Sequence, residues 1–371
     1  MSLATPVPVP GTRRQLSDRR SNPQSQFPNL AKAFLEVSAQ ARDQGLLKRA
    51  PWFYLVLGAG LAIALLGAGT GFVLLGHSWF QLLIAAALGI LLTQVAFITH
   101  EAAHRTIFVS GPRNDRLARL LASGVVGMSY SWWDSKHSRH HGNPNKIGRD
   151  PDIAMDTVSF IEADAATTTG LNRWITQRQG WLFFPLLSLE GINLHYQGLK
   201  HLSQRGHVRG RWLELGLIIG RFAIFLGLLF WLLPVGMAFA FLGVQLVVFG
   251  VYMGASFAPN HKGMPIIGAH ERLDFFTKQV RTSRNIKGGW WATAMYGGLN
   301  YQVEHHLFPN MARPYLARAR VIVKAKCAEL DVPYTETSLG RSYKIVIEYL
   351  NRVGLAARDP YECPMNGLRR G

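Results

Sequence analysis

Long apolar segments alternate with polar, basic segments along this chain, and four of the apolar segments are long enough to cross a bilayer. A membrane-spanning helix needs about 20 consecutive, predominantly apolar residues. The four predicted spans cover about residues 52–75, 79–99, 212–233 and 235–258. Because only residues 76–78 and Pro234 separate the two members of each pair, the pattern predicts two helical hairpins.

The other segments complete the predicted domain organisation. Residues 1–28 are rich in Pro, Ser, Arg and Gln, which predicts a disordered basic segment. Residues 29–340 form the predicted membrane domain, and residues 341–371 form a C-terminal cytoplasmic tail. Residues 29–48 have the spacing of an amphipathic helix, which we expect at the membrane interface.

Two shorter apolar stretches lie between the predicted hairpins, at residues 117–133 and 181–194. Polar residues interrupt both stretches. We therefore expect interfacial or re-entrant segments there rather than additional spans.

Basic residues are distributed asymmetrically about the predicted spans. The chain has 40 Lys and Arg against 22 Asp and Glu, a formal net charge of +18. With four spans, 39 of those 40 basic residues lie on one side, and Arg221 lies within the third span. The positive-inside rule places the basic side in the cytoplasm, together with both termini and a helical cap. Membrane topology explains most of this charge, so no nucleic-acid partner is predicted.

Seven of the 13 histidines occur in three clusters on the predicted cytoplasmic side. The clusters are His100-Glu-Ala-Ala-His104, His137-Ser-Arg-His140-His141 and Gln302-Val-Glu-His305-His306. Residues three or four apart share one face of a helix. His261 follows the fourth span and is expected at the same depth as His100. Eight imidazoles exceed the needs of one metal ion, so the pattern predicts two ions with four or five ligands each.

The residues also allow two other interpretations. His-Glu-x-x-His is the zinc metalloprotease pattern, in which Glu101 would be the general base. That function needs one metal and leaves the other two clusters unused. A noncatalytic membrane scaffold is the second alternative. The histidines that lack clustered partners are predicted to be surface or structural residues: His77, His195, His201, His207 and His270.

The three clusters and their surroundings resemble the histidine boxes of the integral-membrane fatty acid desaturases. The likeness runs from about residue 50 to about residue 330 and includes Gly-Arg-Asp150-Pro-Asp152, Ala-Pro-Asn260-His261 and Asn300-Tyr-Gln-Val-Glu-His-His-Leu-Phe-Pro309. We therefore expect an all-α integral membrane protein with four transmembrane helices in two hairpins and a cytoplasmic helical cap. The resemblance implies a nonhaem di-iron site in that cap, which uses O2 and two electrons to insert a double bond into an acyl chain. The implied iron ligands are His100, His104, His137, His140, His141, His261, His305 and His306.

By the same resemblance, Gln302 stands where many relatives have His. This variant is typical of desaturases that act between an existing double bond and the carboxyl end, and it also occurs in bacterial enzymes of other regiochemistry. The candidates for additional metal ligands or for hydrogen-bond partners of the ligands are Gln302, Asn260, Asp134 and Asp150. The candidates for the wall of a substrate tunnel, with an interfacial aromatic belt as the alternative, are Trp132, Trp133, Trp290 and Trp291.

The resemblance also implies partners. The substrate is a fatty acyl chain carried as a CoA thioester or a lipid. Relatives with a fused cytochrome contain a His-Pro-Gly-Gly haem motif, which this sequence lacks, so an external donor such as a ferredoxin or cytochrome with its reductase is expected. The expected location is the plasma membrane of a bacterium. A di-iron lipid or alkane hydroxylase is the alternative within the same chemistry, and chain length and double-bond position stay open.

Overall fold

The described part of the protein is predominantly α-helical. The computed structural model describes residues 30–358, so the predicted disordered segment and the end of the predicted tail lie outside the described residues. The first nine helices are α1 (Ala31–Asp43), α2 (Pro51–Leu75), α3 (Gln81–Ala103), α4 (Gly111–Arg119), α5 (Tyr130–Gly142), α6 (Glu162–Ala166), α7 (Gly170–Thr176), α8 (Gln179–Leu187) and α9 (Glu190–Ser203). The others are α10 (Arg211–Leu232), α11 (Val235–His261), α12 (Phe275–Arg281), α13 (Gly289–Met295), α14 (Gln302–Leu307), α15 (Arg313–Glu329) and α16 (Leu339–Leu355).

Two short strands accompany the helices. Strand β1 (Arg284–Ile286) pairs in parallel with β2 (Thr335–Thr337), with Arg284 opposite Thr335. A π-helical segment, Leu120–Val126, follows α4, and a 3-10 turn, Leu299–Tyr301, precedes α14.

Four helices within the described residues are long and apolar enough to cross a membrane, which is the predicted number. These helices are α2, α3, α10 and α11. Helix α11 continues past its predicted end at residue 258, through Pro259 to His261. The helix can continue because the carbonyl groups at its end have a hydrogen-bond donor. The Arg284 guanidinium donates from Nε to the Pro259 carbonyl at 2.7 Å and from Nη2 to the Lys262 carbonyl at 2.9 Å.

The four long helices do not pack equally. Helix α2 lies along α3, and α3 in turn lies close against α11. A Cβ at Gly89 of α3 would lie 2.9 Å from the Gln245 carbonyl of α11, so glycine permits this approach. Helix α10 lies mainly against the π-helical segment and has few contacts with α11.

The stretch predicted as interfacial or re-entrant at residues 117–133 contains the π-helical segment, which packs between α3 and α10. It ends at Gly127, where φ is +88° and glycine is the favoured residue. Two side chains bind carbonyl groups at this end: Arg221 Nε donates to Val125 at 3.2 Å, and His195 Nδ1 donates to Gly127 at 2.9 Å. These contacts give the buried turn the hydrogen-bond partners that it needs.

Helix α1 and the beginning of the predicted C-terminal tail are both packed against the rest of the protein. The sequence predicts α1 at the membrane interface, but its apolar residues pack against α12, α14 and α15 in one buried cluster with Val303 and Leu307. Most of the apolar face of α1 is therefore covered by protein, although Leu35 stays exposed. The predicted tail begins inside α16, whose Leu350 and Val353 are buried against α8.

Candidate metal centre

Four helices bring the eight predicted histidines together. Helix α3 supplies the first cluster at its C-terminal end, α5 the second and α14 the third, while His261 ends α11. The side chains form two groups, and within each group the ligand atoms lie within 4.8 Å of one another. The five-histidine group contains His100, His104, His137, His141 and His305. The three-histidine group contains His140, His261 and His306.

Ring nitrogens face one another within the five-histidine group. The Nε2 atom of His137 lies 3.0 Å from that of His100 and 2.9 Å from that of His104. His141 and His305 meet in the same way at 3.1 Å. One ring proton cannot serve two such contacts, and several nitrogen lone pairs that point at one place are the arrangement that binds a cation.

Each ring of the three-histidine group is oriented by a partner at Nδ1. His140 Nδ1 lies 3.0 Å from both carboxylate oxygens of Asp150. His261 Nδ1 donates to the Thr282 carbonyl at 2.8 Å. The partner of His306 Nδ1 is the side-chain oxygen of Gln279, at 2.9 Å. These contacts put the proton on Nδ1 and leave the Nε2 lone pair free for a metal.

Rings of the five-histidine group are supported differently. The Nδ1 atoms of His100 and His141 are buried without a hydrogen-bond partner among the described residues. Aromatic packing replaces those bonds in part: the Trp133 ring stacks on His137 with centroids 4.4 Å apart and lies edge-on to His100 at 5.6 Å. The orientation of these rings therefore depends on where their helices lie.

Burial keeps most of these imidazoles neutral. It lowers the pKa of His104 to about 4. Burial, aided by neighbouring imidazoles, also holds the pKa of His137, His141 and His305 well below the usual range. Burial alone would lower the pKa of His140 too, but Asp152 and Asp150 raise it above its ordinary value. Neutral imidazole is the metal-binding form, so the site suits a cation.

Glu101, between the two histidines of the first cluster, is not available as a general base. Its carboxylate is buried and accepts hydrogen bonds from Arg313 Nη2 at 2.5 Å, Arg313 Nε at 3.2 Å and the Tyr54 hydroxyl at 2.9 Å. The zinc protease interpretation requires a carboxylate that is free to activate water. This geometry argues against that interpretation.

A second buried glutamate holds the start of α5. Glu214 of α10 accepts from Ser129 Oγ at 2.7 Å, from the backbone N–H of Ser131 at 3.2 Å and from Arg119 Nε at 3.1 Å. Ser129 also caps α5 by accepting from the Trp132 N–H at 3.2 Å. Sequence reasoning did not predict this contact, although a charge in an apolar span was a signal that such a partner exists.

A third buried glutamate holds α14. Glu304 accepts from Asn285 Nδ2 at 2.7 Å and from the Tyr334 hydroxyl at 2.8 Å. Burial raises the pKa of Glu304 to about 7. Each histidine cluster thus has a buried glutamate that ties its helix to another part of the chain.

The additional polar candidates occupy different places. Gln302 Nε2 lies 2.8 Å from His261 Nε2, and its Oε1 accepts from Asn260 Nδ2 at 3.1 Å, so both amides border the three-histidine group. Asp150 contacts His140 as described above. Asp134 has Asp115, Arg105, Arg119 and Glu214 as charged neighbours, and burial is the main cause of its raised pKa.

The four predicted tunnel tryptophans separate into two pairs. Trp132 and Trp133 pack beside Leu92, Val95 and Met253 in an apolar cluster under the histidines. The other pair lies on α13, where Trp290 is 84% exposed and Trp291 is 42% exposed. Such exposure fits an interfacial belt better than a tunnel wall.

Comparison with known proteins supports the predicted resemblance. A family model described as fatty acid desaturase matches residues 77–338. Delta(8)-fatty-acid desaturase 2 of Arabidopsis thaliana is 29% identical over 76% of this chain and 65% of its own length. Acyl-lipid (9-3)-desaturase of Borago officinalis is 28% identical over 73% of this chain and 63% of its own. Delta(5) fatty acid desaturase fat-4 of Caenorhabditis elegans is 26% identical over 88% of this chain and 74% of its own.

The chain spans just under two thirds of the length of the two plant relatives. The matched region contains all eight clustered histidines and three of the four long helices in full. The chain belongs to the fatty acid desaturase family.

Proposed function

We propose that this protein is a membrane fatty acyl desaturase that inserts a double bond into an acyl chain. The observation that carries the proposal is the convergence of eight imidazoles in two groups, in a chain of this family. In the reaction, one CH2–CH2 unit becomes CH=CH, while O2, two electrons and two protons become two molecules of water.

Iron is the metal that we propose for the two groups. The five-histidine group would hold one ion, and the three-histidine group would hold the other, with Gln302 at its edge. When bound, the two iron ions would supply the activation of O2 and the removal of hydrogen from the acyl chain. Asp150, Thr282 and Gln279 keep the Nε2 lone pairs directed inward.

We propose that the acyl chain lies in the apolar cluster beside the histidines. Trp133 contacts His100 and His137, and Phe257 contacts His100 with ring centroids 6.4 Å apart. An apolar environment beside the metal ligands would exclude water and hold one methylene near the centre. Trp132 and Trp133 are therefore the tryptophans proposed to line a substrate tunnel.

The proposed membrane orientation rests on the distribution of charge. We propose two hairpins in a lipid bilayer, with both termini and a cap that carries the metal centre in the cytoplasm. Support comes from the 39 basic residues on one side of the four spans. The relatives named above come from plants and a nematode, so they give no support to the predicted bacterial plasma membrane.

Substrate and electron donor are finer parts of the proposal. One relative is named an acyl-lipid desaturase, which favours a lipid-linked acyl chain over a CoA thioester. The Delta(8) and Delta(5) names, together with Gln302, favour a double bond toward the carboxyl end. We propose that an external ferredoxin or cytochrome with its reductase supplies the electrons, and the basic surface suits an acidic donor.

Expression in a host that lacks unsaturated fatty acids tests the function. We expect new alkenes in the fatty-acid profile and two irons per purified chain. His305→Ala and His140→Ala remove one ligand from each group, so both variants should lose the product and part of the iron. His77→Ala, in the turn between α2 and α3, is the matched control and should keep both. Alcohols in place of alkenes would indicate a hydroxylase, and full activity in His305→Ala would refute the ligand assignment.

A further inference from the structure

The Glu101–Arg313 ion pair lies next to the metal centre without touching it. Side chains of both residues are almost fully buried, with 7% of Glu101 and 4% of Arg313 exposed. Two guanidinium nitrogens face the two carboxylate oxygens, a geometry that fixes the relative orientation of the two groups. The two residues are 212 positions apart in the sequence, so their ion pair connects distant segments of the chain.

Arg313 joins three parts of the chain at this point. Its guanidinium binds Glu101 on α3, and its backbone N–H donates to the Tyr54 hydroxyl of α2 at 3.3 Å. Its Cγ packs so closely on Gly298 that a Cβ there would lie 2.8 Å away. Gly298 begins the turn that leads into α14. Arg313 therefore links α3, which carries the first histidine cluster, to the turn before the third cluster.

The five-histidine group needs such a link more than the three-histidine group does. Rings of the three-histidine group have their own Nδ1 partners, whereas His100 Nδ1 has none among the described residues. His100 and His104 are therefore oriented chiefly by the position of the last turn of α3. Glu101 lies in that turn, and its backbone carbonyl is also held by Thr106 Oγ1 at 2.8 Å.

We infer that Glu101 and Arg313 are positioning residues that allow the five-histidine group to retain its metal ion. The inference rests on the proposed two-metal centre and deepens it. The pair acts by fixing the end of α3, so its loss should weaken the five-histidine site and leave the three-histidine site intact.

A double-mutant design separates positioning from simple stabilisation. Arg313→Met alone leaves a buried carboxylate without its cation, so it should lower the unfolding midpoint strongly. Glu101→Gln combined with Arg313→Met removes both charges, and the midpoint should return toward that of the parent. If the pair positions α3, this double variant should still bind one ferrous ion tightly and the second about tenfold more weakly.

Further variants identify the weakened site. Arg313→Lys keeps the charge but loses the bidentate contact with Glu101. This variant should fold and show the same selective loss of metal affinity at the five-histidine site. Adding His104→Ala to Arg313→Lys should leave the one tightly bound ion in place, whereas adding His306→Ala should leave no tightly bound ion. Lys326→Met is the matched control, because Lys326 lies at the opposite end of α15 from Arg313 and pairs with Glu36 of α1 and with Glu329. That control should bind both ions.

Each outcome has one meaning. Two tightly bound irons in Arg313→Lys, or in the double variant where it folds, would overturn the inference and leave the pair a purely stabilising contact. Loss of both ions to an equal degree in Arg313→Lys would also overturn it. A parent protein that binds no iron would instead refute the proposed metal centre.

Discussion

Replacing Glu214 tests whether a buried carboxylate holds the helix of the second histidine cluster. Glu214 has no exposed surface, and it accepts hydrogen bonds from Ser129, Ser131 and Arg119. The carboxylate also lies at the N-terminal end of α5, where the helix dipole favours a negative charge. Its loss should therefore loosen α5 as well as α10.

The size of the effect follows from these contacts. Removing one partner of a buried ion pair costs roughly 3–5 kcal/mol. The Arg119 side chain keeps 15% of its surface exposed, which places Glu214→Ala near the lower end of that range, at about 3 kcal/mol. Glu214→Gln keeps the shape and one acceptor oxygen but loses the charge, so about 1–2 kcal/mol is expected.

Thermal unfolding in detergent and iron content together provide the assay. Glu214→Ala should unfold at a clearly lower temperature than the parent, with Glu214→Gln between them, and both should retain less iron. Glu348→Ala is the control, since Glu348 forms an exposed pair with Lys344 at 3.8 Å, which is worth about 0–1 kcal/mol. If Glu214→Ala unfolds at the same temperature as this control, the anchoring role is wrong.

Three other predictions concern different parts of the molecule. The pKa of Glu304 in the folded protein is about 7, against an ordinary value of 4.5. Between those pH values the folded state binds more protons than the unfolded state, so rising pH destabilises the fold. Glu304→Gln should reduce this pH dependence of the unfolding midpoint, and an unchanged dependence would contradict the reasoning. Trp132→Ala should change chain-length preference or double-bond position while iron stays bound, and an unchanged fatty-acid profile would remove Trp132 from the tunnel. A cysteine introduced at Ser78 should react with an impermeant reagent on intact cells, and reaction only after permeabilisation would reverse the topology.

Long apolar runs in the sequence locate the membrane-spanning helices well, because this signal is local. A run of 20 uncharged residues identifies a span without knowledge of any other part of the chain. The ends were less accurate, as at α11, which continues through Pro259 because Arg284 binds its last carbonyl groups. That partner lies 25 residues away, and nothing in the local pattern indicates it.

The histidine clusters were visible in the sequence, but the surrounding support was not. Helical spacing places His137, His140 and His141 on one side of α5, yet it cannot show that His140 joins a different group from the other two. The glutamates that hold the clusters find partners 212, 95 and 30 residues away, at Arg313, Arg119 and Tyr334. Such pairings depend on the packed structure and not on any local motif.

The order of the clusters along the chain has a consequence for biogenesis. Both histidine groups draw ligands from α14, so neither is complete until residues 305 and 306 have been made. At about 5–20 residues per second, roughly 10–40 seconds separate synthesis of the first cluster from synthesis of the third. During that interval the long helices of the membrane domain must find their places with no metal to organise them. Metal binding would therefore be a late step. Of the two buried glutamates on the long helices, Glu214 of α10 already has its cation, Arg119, in the chain, whereas Arg313, the cation that pairs with Glu101, is made only after the third cluster.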